Sequence, residues 1–269
     1  MKVLLTNDDG IQAQGLNALR RALLETPGVE LSVIAPDSNR SATARSITTR
    51  RPLSVEEIEF EDGTTGFATD GTPVDCVRFA VLGLVDNPDM IVSGINHGTN
   101  LGDDITYSGT VAAALEGVVL GIPAIAASQQ SIGGELDFRA GYSYDFDVGA
   151  AFVARLVEQL EDVPIPEGTL LNINVPSDRP TGARACRLGK RIYRDELRLT
   201  SEEDGRRRYQ IYGHQPGFHE EEGTDFEAIG EGAIAVTPLH FDLTDTAGVE
   251  ALRGFDLDGL LRPAAQEVE

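Results

Sequence analysis

Residues 4–10, Leu-Leu-Thr-Asn-Asp-Asp-Gly, constrain the fold more than any other stretch of the chain. An apolar run that ends in a polar, glycine-closed turn reads as a short buried strand whose carboxyl end opens outward. Leu16, Leu19 and Leu23 then share one helical face, and Pro27-Gly28 stops that helix. Residues 29–35 read as a second strand, closed by Pro36. Strand, helix and strand at this spacing imply a right-handed crossover and a parallel pair. In open α/β sheets ligands sit outside the carboxyl ends of the strands, and Asp8 and Asp9 stand at such an end. Two adjacent carboxylates repel, and a divalent cation that prefers oxygen ligands, Mg²⁺ or Mn²⁺, relieves the repulsion. Taken alone, an Asp-Asp-Gly turn also closes a strand for backbone reasons.

The rest of the chain extends the pattern. Residues 37–50 form a polar loop rich in hydroxyls and arginines, leaving the carboxyl end of the second strand and suited to metal or phosphate contact. Residues 53–60 and 65–69 read as a hairpin around Asp62-Gly63. Thr72 and Pro73 start a helix as N-cap and first residue. Residues 89–92 form another buried strand, followed by a stretch rich in glycine and amides that carries Asn96, His97 and Asn100. Ser108-Gly109-Thr110 opens the helix over 111–120. Its free backbone N–H groups and hydroxyls offer a phosphate site, although Ser or Thr would cap a helix there anyway. Residues 122–128 and 170–176 are further apolar strands. Between them lies a helix over 145–160 with Phe152, Leu156 and Leu160 as its apolar stripe.

Beyond Pro180 the composition turns polar. Residues 184–194 and 206–212 read as two strands of a hairpin that cannot stand alone in water, so it is expected to lie on a partner subunit or across the core. Residues 232–239 form a strand, 249–255 a short helix, and 262–269 a frayed end.

Nucleotide folds with other phosphate loops are disfavoured, because neither Gly-x-Gly-x-x-Gly after the first strand nor a Walker-type lysine loop occurs. The 269 residues carry a net charge of −22. Lysine occurs only at Lys2 and Lys190. Such self-repulsion suits a salty cytoplasm of the kind halophilic archaea maintain, and it argues against nucleic-acid binding, which needs a basic face. No apolar run reaches membrane-span length and no basic-then-apolar leader precedes the first strand, so a soluble, cytoplasmic chain is expected. Cys76 and Cys186 are expected as buried free thiols.

In order along the chain stand Leu5-Thr6-Asn7-Asp8-Asp9-Gly10, Ala35-Pro36-Asp37, Asn39-Arg40-Ser41, Gly71-Thr72-Pro73 and Ser93-Gly94-Ile95-Asn96. Leu101-Gly102-Asp103-Asp104, Tyr107-Ser108-Gly109-Thr110, Asn172-Ile173-Asn174-Val175-Pro176, Thr224-Asp225 and Val236-Thr237-Pro238-Leu239 follow. Together these motifs resemble the SurE family, the survival-protein-E nucleotidases, from residue 2 to about 240. At Gln12-Ala13-Gln14-Gly15 the chain departs from the family's proline before the glycine, which touches a turn and not a ligand. The resemblance implies a single α/β domain with a Rossmann-like three-layer core over about 1–178. It also implies a C-terminal β-hairpin and helix extension, about 179–269, exchanged between subunits of a homodimer or dimer of dimers. The implied activity is a metal-dependent phosphomonoesterase, a 5′-nucleotidase acting on nucleoside 5′- and 3′-monophosphates. One divalent cation per subunit, Mg²⁺ or Mn²⁺, would be held by Asp8, Asp9, Ser41 and Asn96. Asn100, Ser108, Gly109 and Thr110 would cradle the phosphate, and Asp8 or Asp9 would orient or deprotonate the nucleophile. His97 stays outside this set, since a lone loop histidine is more often a bystander. Two alternatives share the fold: an exopolyphosphatase-type hydrolase with the same site, and a non-catalytic nucleotide-binding regulatory module.

Overall fold

The computed structural model describes residues 1–136, 143–211 and 216–261. In chain order the elements are β1 (Lys2–Thr6), α1 (Gln14–Leu24), β2 (Glu30–Pro36), β3 (Val55–Glu59), β4 (Thr65–Thr69), α2 (Pro73–Phe79) and β5 (Met90–His97). Next come α3 (Gly109–Val119), β6 (Ala124–Gln129), α4 (Asp147–Glu158), β7 (Thr169–Val175), β8 (Ala183–Ala185) and β9 (Arg191–Ile192). The chain continues through β10 (Arg198–Glu203), β11 (Arg206–Gln210), β12 (Gly217–Phe218), α5 (Asp225–Gly230), β13 (Ile234–His240) and α6 (Thr246–Arg253).

Nine strands form the main sheet in the order β3-β4-β2-β1-β5-β6-β7-β13-β8. The run from β4 to β7 is parallel, and β3 and β13 join antiparallel at its two sides. Successive strand residues point to opposite faces, and both faces are covered. Val3 and Leu5 of β1 meet Leu16, Leu19 and Leu23 of α1 and Val153 and Val157 of α4. Leu4 points the other way, to Val77 of α2 and Val111, Ala113 and Ala114 of α3. The result is the expected three-layer α/β sandwich. Chain order reverses between β2-β1 and β5-β6, so the carboxyl ends of β1 and β5 diverge around a crevice at the switch point.

Local chemistry fixes the elements as read. Thr72 caps α2 in a full capping box with Asp75, and Pro73 stands at its first turn. Four readings are corrected. The strand expected to stop at 92 continues to His97, with a register shift against β6 between Ser93 and Asn96. Glycine and amides there read as loop, yet β6 is present to pair with them. On α4 the buried side is Gly149, Ala150, Val153, Ala154 and Val157, while Phe152, Leu156 and Leu160 pack only at its margin. Small residues let the helix sit directly on the sheet, and the bulky ones fill its edges. The polar hairpin pairs β10, not 184–194, with β11 around Asp204-Gly205, both at positive φ. That two-residue turn sets the register. The segment 184–194 breaks instead into β8 and β9, and β8 joins the main sheet beside β13. Cys76 is buried, but Cys186 is only half-buried. The end at 262–269 lies outside the described residues.

Helix α1 approaches β5 closely enough that a Cβ on Gly15 would lie 2.0 Å from the Ile95 carbonyl oxygen. Gly15→Ala therefore has to push α1 off the sheet. A loss of at least about 2 kcal/mol is expected, read as a lower urea midpoint at unchanged slope.

Candidate active site

Asn7 closes the turn after β1: its amide donates to the Gly10 carbonyl at 3.0 Å, and its Oδ1 accepts the Gly10 N–H at 3.2 Å. Asp8 and Asp9 are thereby held at the strand's carboxyl end, facing different elements. Asp8 turns to α3, where the Thr110 hydroxyl donates to Oδ1. That hydroxyl also lies 3.3 Å from Asn96 Oδ1. A Cβ on Gly109 would fall 2.8 Å from both Cβ and Oδ2 of Asp8, so glycine lets the helix start touch the carboxylate. Asp9 turns to β5 and the 37–50 loop. Its Oδ2 accepts the His97 N–H at 2.9 Å and its Oδ1 the Asn39 amide at 3.1 Å. The same Asn39 accepts the Ser41 N–H at 2.9 Å, and the Arg40 N–H donates to the Asp8 carbonyl at 2.6 Å.

Asn100 is fixed from below. Its N–H donates to Asn174 Oδ1 at 2.8 Å, and its carbonyl accepts the amides of Asn172 and Asn174 at 2.9 and 3.0 Å. Its side chain donates to Ser128 Oγ at 2.8 Å. Ser108 is the N-cap of α3, its Oγ accepting the Val111 N–H.

A cavity of about 1020 Å³ opens over this floor. Asp8, Asp9, Ser41, Asn96, Asn100 and Ser108 all line it. Gly109 and Thr110 lie behind Asp8 instead, fully buried, with the Thr110 hydroxyl directed at the carboxylate and not into the cavity. His97, set aside in the sequence, is part of the wall. It stacks on Tyr144 and Phe146, each at 5.1 Å between ring centroids. Its Nε2 accepts the Gly15 N–H at 3.4 Å, and burial lowers its pKa. Tyr107, Asp104, Arg191 and Tyr193 complete another wall. Arg191 donates to Asp104 at 2.7 Å and lies over the Phe226 ring, and the Tyr193 hydroxyl donates to Asp104 at 3.0 Å. No local signal announces Arg191 or Tyr193, because their partner Asp104 is almost ninety residues away in the chain.

Both aspartate pKa values are raised, to about 6. Burial is the main cause for each, and for Asp8 the charge of Asp9 adds to it. Among the described residues, the side chains of the two carboxylates accept from the Thr110 hydroxyl, the Asn39 amide and the His97 N–H, all neutral. Negative charge is therefore concentrated at the cavity floor, with no cation bonded to it among the described residues. Asp8 and Asp9 together with the amide oxygen of Asn96 and the hydroxyl of Ser41 make an all-oxygen donor set, which fits a hard divalent cation. Among the described residues no cluster of three or more His, Cys, Asp or Glu side chains competes for that role.

The family described as Survival protein SurE matches residues 3–195. A protein of Rubrobacter xylanophilus named 5′-nucleotidase SurE is 50% identical over 267 residues, covering 97% of this chain and 99% of that protein. A protein of the same name from Chloroflexus aggregans is 45% identical over 95% of this chain and 99% of its own. The crystal structure of the SurE protein from Aquifex aeolicus superimposes with a TM-score of 0.78 at 37% identity, covering 94% of this chain and 98% of that one.

Raised carboxylate pKa values mean that the folded protein holds more protons than the unfolded chain between about pH 4 and pH 6. Without a cation, the pair therefore removes stability as pH rises through that window. A cation needs both groups ionised, so its stabilising effect has the opposite pH dependence. Mn²⁺ in excess is expected to raise Tm clearly at pH 7.5 and little at pH 5. Equal shifts at both pH values would exclude this pair as the binding site.

Proposed function

This chain belongs to the SurE family, and from that premise we propose that it is a 5′-nucleotidase, hydrolysing nucleoside monophosphates to nucleoside and phosphate. The observation that carries the reading is the pair of adjacent carboxylates, buried Asp8 and half-buried Asp9, at the floor of a cavity lined by Ser108 at the start of α3, with no cation bonded to either among the described residues. Asp8, Asp9, Ser41 and Asn96 would hold one divalent cation, Mg²⁺ or Mn²⁺. When bound, it supplies Lewis-acid compensation for the charge of the phosphoryl group and lowers the pKa of a bound water.

The chain's own residues do the rest. Ser108 uses its lone pair to cap α3, which leaves its proton for a phosphoryl oxygen. Asn100 donates one amide hydrogen to Ser128 and keeps a second for the substrate. These donors and the positive end of α3 are in place before substrate arrives, so they need no reorganisation as charge develops. Gly109 and Thr110 act behind Asp8, fixing its orientation. Asp9, held at both oxygens by His97 N–H and Asn39, orients the attacking water and takes its proton. Water attacks phosphorus, the ester P–O bond breaks, and the departing oxygen takes up a proton from solvent, so that the nucleoside leaves as an alcohol while the proton taken by Asp9 returns to solvent. An aspartyl-phosphate route would require a carboxylate to leave the cation, which the fixed pair disfavours. Tyr107, Tyr144 and Tyr193 offer flat faces to the base and sugar.

Monoesters are favoured over polyphosphate by charge. Among the described lining residues the one arginine or lysine is Arg191, and it is spent on Asp104. A second or third phosphate would meet Asp195 in the wall, where no further arginine or lysine is among the described lining residues.

The C-terminal part has two duties in this reading. β8 and β13 complete the sheet, while the exposed β10-β11 hairpin and the apolar side chains Leu243, Leu252, Phe255, Leu260 and Leu261 lie against a second copy in a homodimer or dimer of dimers. No described helix is long and apolar enough to cross a membrane, and a cytoplasmic site of action follows from the substrate class.

Phosphate release from AMP, GMP, CMP and polyphosphate, with Mn²⁺ or with EDTA, tests the reading. Release from the monophosphates with Mn²⁺ and none with EDTA is expected, with polyphosphate slower. Asp9→Asn should lower kcat by about 100-fold or more with an unchanged circular dichroism spectrum. Wild-type turnover in that variant would remove Asp9 from the mechanism.

A further inference from the structure

Glu116 lies on α3, two turns beyond Thr110, and is only 1% exposed. A carboxylate so placed needs partners, and it has two. Arg45 of the 37–50 loop reaches Oε2 at 2.7 Å, and Arg78 of α2 contacts the other oxygen. The loop that carries Arg45 also carries Ser41; inside it Thr43 bonds back to the Arg40 carbonyl through its N–H and its hydroxyl, and further contacts hold it from outside. Ala42 and Ala44 both lie in the left-handed region, at φ 59° and 51°, which non-glycine residues adopt only when their surroundings impose it. On one side of Ser41 the imposing contacts are Asn39 to Asp9 and Arg40 N–H to the Asp8 carbonyl. On the other side they are the Ala44 N–H on the Tyr107 carbonyl, at 3.2 Å, and the Arg45–Glu116 ion pair. Arg45 lies in addition over the Phe241 ring, 4.5 Å from its centroid.

We propose that Arg45 and Glu116 are positioning residues that hold Ser41 at the cation site; this rests on reading Ser41 as a ligand. Helix α3 then aligns both halves of the site. Its first turn seats Asp8 through Thr110, and Glu116 seats the Ser41 loop through Arg45. Because the two anchors share one rigid element, the hydroxyl and the carboxylate keep a fixed separation.

The test is Mn²⁺ binding to the purified full chain by isothermal titration calorimetry. It compares wild type, Ser41→Ala, Arg45→Met and the double variant, each checked for an intact melting transition. Arg45→Met leaves Glu116 paired with Arg78, so no buried charge is stranded. Alone it is expected to weaken Mn²⁺ binding about tenfold, as loss of a ligand's supporting contact does. In the Ser41→Ala background it should cost less than about twofold, because both changes act through one ligand. Arg45→Lys, which keeps a cation opposite Glu116 but loses the planar group over Phe241, should recover only part of the lost affinity. The proposal is overturned if Arg45→Met binds Mn²⁺ as wild type does, if its effect is the same in both backgrounds, or if the lysine variant recovers nothing. Should Ser41→Ala itself bind Mn²⁺ normally, the ligand reading fails and the positioning role with it. A Ser41→Ala defect beside a neutral Arg45→Met removes the positioning role alone.

Discussion

Repulsion between Asp8 and Asp9 shapes everything around them. Two carboxylates at the end of a buried strand would ordinarily protonate, or drive the strand apart from its neighbours. Here each is turned to a different element: Asp8 to the start of α3, Asp9 to the backbone after Asn96 and to Asn39. The division keeps both carboxylates in place through neutral donors, with no cation on either among the described residues. Helix α3 contributes its first turn and its positive end, and Gly109 removes the side chain that would keep that end away. The order of strands supplies the space, since β1 and β5 are the pair between which the crossovers part.

Much of this was legible in the sequence because it is local. Leu4-Leu5-Thr6 followed by Asn7-Asp8-Asp9-Gly10 states both a strand and where it ends, and Thr72-Pro73 states a helix start. Likewise, Asp8, Asp9 and Ser108 stand out from their own turns, whereas Ser41, Asn96 and Asn100 are reached through the family resemblance; all six line one cavity. What escaped is what depends on distant partners. The strand character of Ser93 to His97 comes from β6 lying beside it, not from its own glycine and amides. The register of the polar hairpin comes from Asp204-Gly205, and its composition gave no hydrophobic alternation to read. The direction of the Thr110 hydroxyl is set by Asp8, over a hundred residues earlier.

The wall made by Asp104, Arg191 and Tyr193 shows the same dependence in the other direction. Beyond residue 180 the chain looks like an appendage in composition, polar and poor in core residues. In space, β9 delivers Arg191 and Tyr193 to the cavity, and Asp225 accepts the N–H groups of Gly102 and Gly189, tying the two stretches together. The C-terminal part therefore belongs to the cavity as well as to the outer surface.

One chemical choice recurs across the floor of the cavity: its frame is built from asparagine. Asn7 closes the aspartate turn, Asn39 joins Asp9 to Ser41, Asn96 holds the Gly98 carbonyl, and Asn172 and Asn174 grip Asn100. Apart from the Asn39 bond to the Asp9 carboxylate, these hydrogen bonds join neutral groups, so dissolved ions barely weaken them, whereas exposed ion pairs slacken as the medium grows more concentrated. On a chain with a formal charge of −22, this separates two responses. The outer shell feels ionic strength strongly, and the asparagine lattice beneath the substrate keeps its dimensions in dilute buffer and brine alike.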